Sequence, residues 1–228
     1  MDNLKVIARI KTDFPSKFGI PRQSGLVKTV GKIVFENEFS DPAALKGLES
    51  FSHLWLIWGF SETDGKPWSP TVRPPRLGGN KKVGVFATRS PFRPNPIGLS
   101  SVEVLEIKKG EITVSGADLM DGTPIYDIKP YIPYTDCHTD AVGGFSDEVL
   151  NNDLEVYIPD EFKSVLKDEL SVLSEILSGD PRPHYQNDPD RIYAFEFSKF
   201  HIEFKVKDKT LTVIKIIKTG EKSVQDCK

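Results

Sequence analysis

The chain has 228 residues, of which 38% are hydrophobic and 28% charged, and its formal net charge is -3. This composition is typical of a soluble globular protein with room for a medium domain and a smaller one. The two cysteines, Cys137 and Cys227, lie far apart, which argues against a disulfide framework and a cysteine-based zinc site. The N-terminus lacks a signal-type apolar run, and no run approaches the roughly 18 apolar residues that span a bilayer. We therefore expect a cytoplasmic protein without membrane contact.

The first 140 residues are dominated by short strand-like runs. The first is LKVIARI, in which alternate residues from Leu4 to Ile10 share one apolar face. Further runs follow: GLVKTVGKIVF, LWLIWGF, KVGVFAT, LSSVEVLEI and EITVSGA. Between them, DPAALKGLESF has a helical pattern. Six short strands with so little helix predict an antiparallel barrel or a strongly curved sheet.

From residue 141 the pattern changes to a helix followed by strands. PDEFKSVLKDELSVLSEILSGD has apolar residues at helical spacing, with Asp160 as candidate N-cap and Gly179 as the stop. RIYAFEFSKFHIEFKVK and TLTVIKIIK then alternate and are joined by DK, which is typical of a hairpin. We therefore predict a mainly β fold. An antiparallel β-barrel forms the N-terminal domain, residues 1–140, and a small α+β domain covers residues 141–228.

Several common enzyme motifs do not occur. RLGGNKK precedes a strand, whereas a dinucleotide or Rossmann-type methyltransferase turn follows a strand and opens a helix. TDCHTD is interpreted as a polar turn, because adjacent Cys137 and His138 are awkward joint ligands, and we predict no metal site. His53 and His201 lie within apolar runs and are expected to be half-buried rather than catalytic.

Residues 66–102 form a cationic segment on an acidic chain. The segment has seven Lys and Arg residues and no Asp or Glu, so the remainder of the chain carries a net charge of -10. A solvated loop is the simplest explanation of a charge run. The segment also holds seven of the seventeen prolines, which stiffen the backbone and favour a fixed surface for an anionic partner. Within it, FATRSPFRPNPIGLS is predicted to be a rigid wall that faces a ligand.

Two further stretches carry ligand-binding side chains. FGIPRQSG contains Arg22, whose fork suits a carboxylate or phosphate. DLMDGTPIYDIKPYIP supplies carboxylates and hydroxyls that could bind a ribose or a cation, namely Asp118, Asp121, Asp127, Tyr126 and Tyr131. Asp121 and Gly122 are also a pair that closes a two-residue hairpin, and this structural role has about equal weight.

These stretches closely resemble the TsaA-like, or TrmO, family. The resemblance rests on PRQ at 21–23, FSHLWLIW at 51–58, PTVRPPRLGGNKKVGVFATRSPFRPNPIGLS at 70–100 and DLMDGTPIYDIKPYIPYTD at 118–136. SGDPRPHY and RIYAFEFSKFHIEFKV are similar to the C-terminal domain of the longer bacterial members. The resemblance implies an S-adenosylmethionine-dependent tRNA methyltransferase that acts as a homodimer. Its implied target is N6 of threonylcarbamoyladenosine at position 37, next to the anticodon.

The resemblance also implies which residues bind the methyl donor. By motif they are Pro21, Arg22, Gln23, Phe60, Ser61, Arg89, Leu99, Asp118, Asp121, Gly122, Thr123 and Pro124. Family members often carry His or another larger polar residue where this chain has Ser61. A base must take the N6 proton, and Asp121 and Tyr126 are the catalytic candidates. The alternative for Asp121 is that it binds hydroxyls of the donor.

The cationic residues are predicted to contact tRNA phosphates. They are Arg73, Arg76, Lys81, Lys82 and Arg93 of the cationic segment, together with Arg182 of the DPRP turn. For Arg182 a purely structural turn is an equal alternative. Because every donor motif precedes residue 140, we expect the C-terminal domain to hold RNA rather than the donor. Two other functions stay open: a non-catalytic nucleotide- or RNA-binding barrel, and a methyltransferase of this fold with another substrate.

Overall fold

The computed structural model describes residues 4–63, 65–74, 77, 79–149, 154–182 and 188–219. Three features of the sequence analysis lie outside these ranges: Arg76, Cys227 and the end of the DPRPHY turn. Among the helices in the described part of the chain, none has the length and apolar character needed to cross a bilayer.

The N-terminal part folds as a closed antiparallel barrel, which confirms the predicted fold class. In order around the barrel, the strands are β1 (Ala8–Lys11), β2 (Val30–Phe35), β7 (Glu111–Ser115), β6 (Ile97–Lys108), β3 (His53–Gly59) and β8 (Pro124–Pro130). Alternate side chains point inward, as the strand period requires. In β3, for example, Leu54 and Leu56 are fully buried and the exposed fraction of Trp58 is 8%.

Two strand predictions differ from the structure. KVGVFAT forms the two-residue strand β5 (Val83–Gly84), which pairs with β4 (Thr71–Val72), and continues as a 3-10 turn. The sixth barrel strand is instead β8, in a stretch whose Asp and Pro content does not predict a strand. The prolines lie at its first and last positions, where the missing N–H does little harm to the ladder.

The strand order brings three connections together at one end of the barrel, which we call the mouth. Strands β1, β3 and β7 end there and β2, β6 and β8 begin there, so residues 12–29, 60–96 and 116–123 all lie at the mouth. The opposite end carries the tight β6–β7 turn and residues 36–52. Loops at one end of a rigid scaffold are a common place for a site.

The C-terminal part is an α+β unit. After the short helix α1 (Pro133–Asp136), the chain forms β9 (Glu155–Tyr157), α2 (Asp160–Leu166), α3 (Leu170–Ser178), β10 (Tyr193–Phe197), β11 (Phe200–Lys207) and β12 (Thr210–Lys218). The sheet order is β10-β11-β12-β9, and β9 runs parallel to β12.

Local details of this unit differ from the prediction. The single predicted helix is divided into α2 and α3 by a 3-10 turn that begins at Lys167, whose φ is 47°. Asp160 is the first helical residue rather than the N-cap, and its carboxylate accepts a hydrogen bond from Lys163 Nζ at 2.7 Å. The first long strand-like run is split into β10 and β11 at Ser198, whose φ is 54°.

The two histidines of the apolar runs behave differently. His201 is half-buried as expected, with Nδ1 2.6 Å from a Glu196 carboxylate oxygen. His53 is exposed, because it stands at the start of β3 on the outer face of the barrel, and its Nδ1 lies 2.9 Å from Ser52 Oγ.

The side chains form two separate hydrophobic cores. The barrel core is drawn from residues 8–125 and is mostly aliphatic. The second core lies between α2, α3 and the C-terminal sheet, and it also contains Phe14 and Val27 from the β1–β2 connection. Phe18 and Ile20 of the same connection pack against it. Residues 12–29 thus join the barrel mouth to the C-terminal unit.

Candidate active site at the barrel mouth

A series of polar side chains links the connections at the mouth. The Trp58 indole N–H donates to Ser100 Oγ at 3.0 Å, and this hydroxyl donates to Asp118 Oδ1 at 2.6 Å. The Asp118 carboxyl group interacts electrostatically with the positive charge of Arg89. The Arg89 guanidinium in turn donates a hydrogen bond to the side-chain oxygen of Gln23. The mouth therefore brings together predicted donor residues from all three connections.

Asp118 is the half-buried anion of this series. Burial raises the pKa of its carboxyl above the ordinary 3.8. Hydrogen bonds from the Ser100 hydroxyl and from the backbone N–H groups of Asp118 and Ser24 oppose that rise, as does the charge of Arg89. Because the Asp118 carboxylate accepts a hydrogen bond from the Ser24 N–H, the barrel holds the backbone directly after the PRQ stretch, residues 21–23.

The PRQ stretch is held from the other side as well. Pro21, Arg22 and Gln23 are half-buried. The Arg22 guanidinium donates to the backbone carbonyl of Asp180, in the C-terminal unit, and the Gln23 side-chain amide donates to the Arg22 carbonyl. The backbone at residues 21–24 is therefore anchored to both parts of the molecule.

Phe60 and Tyr126 each contact the end of β3. The Phe60 ring lies edge-on to Trp58, with centroids 4.4 Å apart, and the Phe60 N–H donates to the Pro96 carbonyl at 2.9 Å. That bond closes the long 60–96 connection at its base. The Tyr126 hydroxyl lies against Gly59, where a Cβ would stand 2.3 Å from the hydroxyl oxygen, so a side chain at this position would displace the Tyr126 ring.

Two further predicted donor residues, Ser61 just after β3 and Leu99 in β6, face solvent. Ser61 is exposed at the start of a 3-10 turn, Ser61–Thr63. The side chain of Leu99 is 55% exposed, while its neighbours Gly98 and Ser100 are buried.

The Asp121-Gly122 turn crosses to β1 instead of closing a two-residue hairpin, because β7 and β8 are not neighbours in the barrel. Asp121 Oδ1 accepts the Thr12 N–H at 3.0 Å, and the Gly122 N–H donates to the Ile10 carbonyl at 2.8 Å. Asp121 and Gly122 are exposed, whereas Thr123 and Pro124 are buried and shape the turn. Asp121 therefore holds β1 through the hydrogen bond from Thr12 while its side chain remains exposed at the mouth.

Two other residues of the same stretch lie away from the mouth. The Tyr131 N–H donates to the His53 carbonyl at 2.9 Å, at the opposite end of the barrel, and Asp127 pairs with Lys129 at 2.9 Å. At that end the Asp136 carboxylate accepts hydrogen bonds from the Ile132 N–H and the Trp55 indole N–H, and these bonds lower the pKa of its carboxyl. The described residues contain no cluster of three or more His, Cys, Asp and Glu side chains suited to a metal ion.

The predicted RNA-binding cations fall into two groups. Arg73, Lys81 and Lys82 are exposed on the 60–96 connection, and half-buried Arg93 donates to the Thr88 carbonyl at 3.2 Å. Arg182 is 9% exposed, and its guanidinium donates to both carboxylate oxygens of Asp180, at 2.8 and 2.9 Å. A phosphate contact would require this buried pair to break, so the geometry favours the structural alternative for Arg182.

Sequence reasoning missed Ser100 and Asp180. Ser100 is an ordinary strand residue by pattern, and its partner Asp118 is 18 residues away. Asp180 had a local signal, since it follows the predicted helix stop and precedes a proline, as turn-forming Asp residues often do.

Comparison with known proteins gives matches along both parts of the chain. The family model of the tRNA-methyltransferase O N-terminal domain matches residues 9–137, and that of the TrmO C-terminal domain matches residues 151–219. A tRNA (adenine(37)-N6)-methyltransferase of Escherichia coli is 40% identical over 216 residues, 89% of this chain and 92% of the relative. A putative S-adenosylmethionine-dependent methyltransferase, RcsF, of Pseudomonas aeruginosa is 39% identical over 198 residues, 82% of this chain and 85% of the relative.

A solved structure has the same fold over nearly the whole chain. The crystal structure of TrmO from Pseudomonas aeruginosa superposes with a TM-score of 0.79 at 31% identity, covering 96% of this chain and 97% of that one. The two family models together span the barrel and the C-terminal unit. The chain therefore belongs to the tRNA-methyltransferase O family of enzymes.

Proposed function

We propose that this enzyme methylates N6 of threonylcarbamoyladenosine at position 37 of tRNA, with S-adenosylmethionine as the donor. The observation that carries the proposal is the convergence of Gln23, Arg89 and Asp118 at the barrel mouth, beside the aromatic pair of Trp58 and Phe60. Relatives named as tRNA (adenine(37)-N6)-methyltransferase and as S-adenosylmethionine-dependent methyltransferase support it.

The residues at the mouth fit the parts of the donor. Its methionine carboxylate suits the guanidinium groups of Arg22 and Arg89, which present paired N–H donors. Its adenine suits the apolar surfaces of Phe60 and Leu99. When bound, the donor supplies an electrophilic methyl group on sulfur.

The protein's main contribution is to hold the reacting atoms in line. The N6 lone pair is delocalised into the purine and the carbonyl, so positioning has to supply much of the acceleration, up to roughly 7 to 11 kcal/mol in favourable systems. Residues 21–24, Arg89 and Asp118 are fixed to one another before the donor arrives. Such a preformed arrangement reduces the entropy lost on binding.

Asp121 is the stronger candidate for the base. The Asp121 carboxyl group is exposed at the mouth, where its free oxygen can accept the N6 proton, whereas the Tyr126 hydroxyl lies against Gly59 and is better suited to donate a hydrogen bond. The Thr12 N–H holds Asp121 Oδ1 at 3.0 Å and fixes the direction of the carboxylate.

The exposed cations of the 60–96 connection are proposed to hold the tRNA backbone. Arg73, Lys81 and Lys82 stand on the same end of the barrel as the proposed donor site. Phosphate contacts there would position the anticodon loop over the mouth. The family resemblance also supports a homodimer, which light scattering of the purified chain would test.

The direct experiment is transfer of labelled methyl from S-adenosylmethionine to tRNA. We expect incorporation into tRNA that carries threonylcarbamoyladenosine and none into the same tRNA lacking the threonylcarbamoyl group. Equal incorporation into both would favour a methyltransferase with another target. Binding of donor and tRNA without incorporation would favour a non-catalytic module.

A further inference from the structure

The C-terminal unit packs directly on the connection that carries the proposed donor residues. The Phe14 and Phe197 rings are 5.5 Å apart, and Phe18 meets Phe195 edge-on at 6.0 Å. Gly19 has a φ of 93°, and a Cβ there would stand 2.3 Å from the Phe195 ring. Because the backbone itself touches the ring, the path of the chain into Pro21 and Arg22 depends on the C-terminal core.

A buried ion pair lies where this connection meets the end of α3. Asp180 is 6% exposed and Arg182 9% exposed. The Asp180 carboxylate accepts three hydrogen bonds from Arg182, from the backbone N at 3.2 Å, Nε at 2.8 Å and Nη2 at 2.9 Å. The guanidinium also lies 5.9 Å from the centroid of the Tyr193 ring. The pair is thus satisfied within the C-terminal unit.

The ion pair fixes an unusual backbone conformation. Asp180 has a φ of 48°, a left-handed value that residues other than glycine adopt infrequently. Its N–H donates to the Leu177 carbonyl at 3.2 Å, and its own carbonyl accepts a hydrogen bond from the Arg22 guanidinium. The side-chain bonds to Arg182 therefore determine where the acceptor for Arg22 points.

We propose that Asp180 and Arg182 are positioning residues for the methyl donor: their ion pair orients the Asp180 carbonyl, which sets Arg22 and the PRQ stretch. This inference rests on the proposed function, and it gives the C-terminal unit a part in donor binding. The hydrogen bonds continue from Arg22 through Gln23 to Arg89 at the barrel mouth. The proposal adds a part in donor binding to the RNA contact expected of this unit.

The test is the double substitution Asp180→Gly with Arg182→Met. Removing both charges leaves no unpaired buried ion, and glycine tolerates the positive φ, so the variant is designed to fold. In this variant the Asp180 carbonyl, which accepts the hydrogen bond from the Arg22 guanidinium, is no longer held in its orientation. We therefore expect calorimetry to show that S-adenosylhomocysteine binds about tenfold more weakly. The KM for S-adenosylmethionine should rise by a similar factor, while kcat at saturating donor stays unchanged.

The matched control is Lys163→Met, which removes an ion pair of the same unit on α2, that between Lys163 and Asp160. We expect its donor affinity to equal that of the unaltered chain. If the double variant does not unfold cooperatively, Arg182→Lys takes its place in the test. A lysine keeps the positive charge but cannot form the paired hydrogen bonds to Asp180, so donor binding should weaken by about threefold.

The outcomes separate the two proposals. A folded double variant, or Arg182→Lys, with unchanged donor affinity would overturn the positioning role and leave the proposed function intact. A loss of kcat without a change in donor affinity would also overturn it. Failure of the unaltered chain to bind S-adenosylhomocysteine would contradict the proposed function and this inference with it.

Discussion

The two hydrophobic cores differ in where their residues come from. The buried residues of the barrel core all lie between Ala8 and Ile125, and most are aliphatic side chains on barrel strands. The second core is rich in phenylalanine, and it takes Phe14 and Val27 from a connection between two barrel strands. One core is self-contained, whereas the other is finished by a segment that also carries proposed donor residues.

This difference suggests that the barrel and the second core hold different residues of the mouth. The barrel presents Asp121 and Asp118 on a turn fixed by its own strands. The second core fixes the path of residues 14–27, and with it Arg22 and Gln23. A change at Asp121 should therefore mainly alter the chemical step, whereas changes in the second core should alter donor binding.

The largest expected effect is on the barrel side. Asp121→Asn keeps an oxygen that can accept the Thr12 N–H but removes the proposed base, so kcat should fall about 100-fold or more. Donor affinity should change far less, and Tyr126→Phe should reduce kcat by a smaller factor. Methyl transfer under saturating donor measures both. A rate for Asp121→Asn equal to that of the unaltered chain would remove Asp121 from the mechanism.

The next effect tests the second core. Phe195→Ala removes a ring that is 4% exposed and lies against Gly19, and Phe200→Ala removes one that is 1% exposed in the same core. Each should lower the free energy of unfolding by about 3–5 kcal/mol, measured with urea. We expect weaker binding of S-adenosylhomocysteine for Phe195→Ala than for Phe200→Ala. Equal donor affinities in the two folded variants would mean that the core does not control the PRQ stretch.

The cations of the mouth should govern tRNA binding without affecting the donor. Reversing Arg73 and Lys81 to Glu should raise the tRNA dissociation constant and flatten its salt dependence by about one unit of slope per lost contact. Lys46 and Lys109, exposed at the opposite end of the barrel, provide the matched control pair. If reversing Lys46 and Lys109 weakens tRNA binding as much as reversing Arg73 and Lys81, the weakening comes from the net charge of the chain and not from phosphate contacts at the mouth.

The smallest expected effect is a pH dependence of stability with opposite signs at the two ends of the barrel. Burial raises the pKa of Asp118 in the folded chain above its ordinary value of 3.8. The free energy of unfolding of the unaltered chain, compared with that of Asp118→Asn, should therefore increase as the pH falls through the raised pKa toward 3.8. The pKa of Asp136 is lowered, so the stability relative to Asp136→Asn should decrease as the pH falls below 3.8. Urea unfolding of each pair between pH 6 and the lowest pH at which it still folds measures both differences. The same sign for the two carboxylates would contradict the assigned environments.

Much of the barrel could be predicted because its strands alternate with a period of two. That period gave five of the six barrel strands and the burial of residues such as Ile10 and Leu56. It could not find β8, whose outer positions hold Asp and Lys and whose ends are prolines. Nor could it separate KVGVFAT, an apolar run that makes a turn, from a true strand.

The candidate site was less accessible to pattern reasoning. The family resemblance supplied the donor residues, but the bonds that hold them join residues far apart in sequence, such as Arg22 and Asp180. For Arg182, two flanking prolines suggested a fixed contact, and the sequence alone could not show that its partner is the buried Asp180 two residues earlier. Long-range packing of this kind leaves no local period to detect.

Hydrogen exchange with and without S-adenosylhomocysteine would locate the donor, which we place where the three mouth connections meet. We expect slower amide exchange on donor binding in three stretches, residues 19–25, 86–90 and 117–123, and no change at the β6–β7 turn on the opposite end. Protection confined to residues outside these connections, or saturable binding that protects none of them, would contradict this placement.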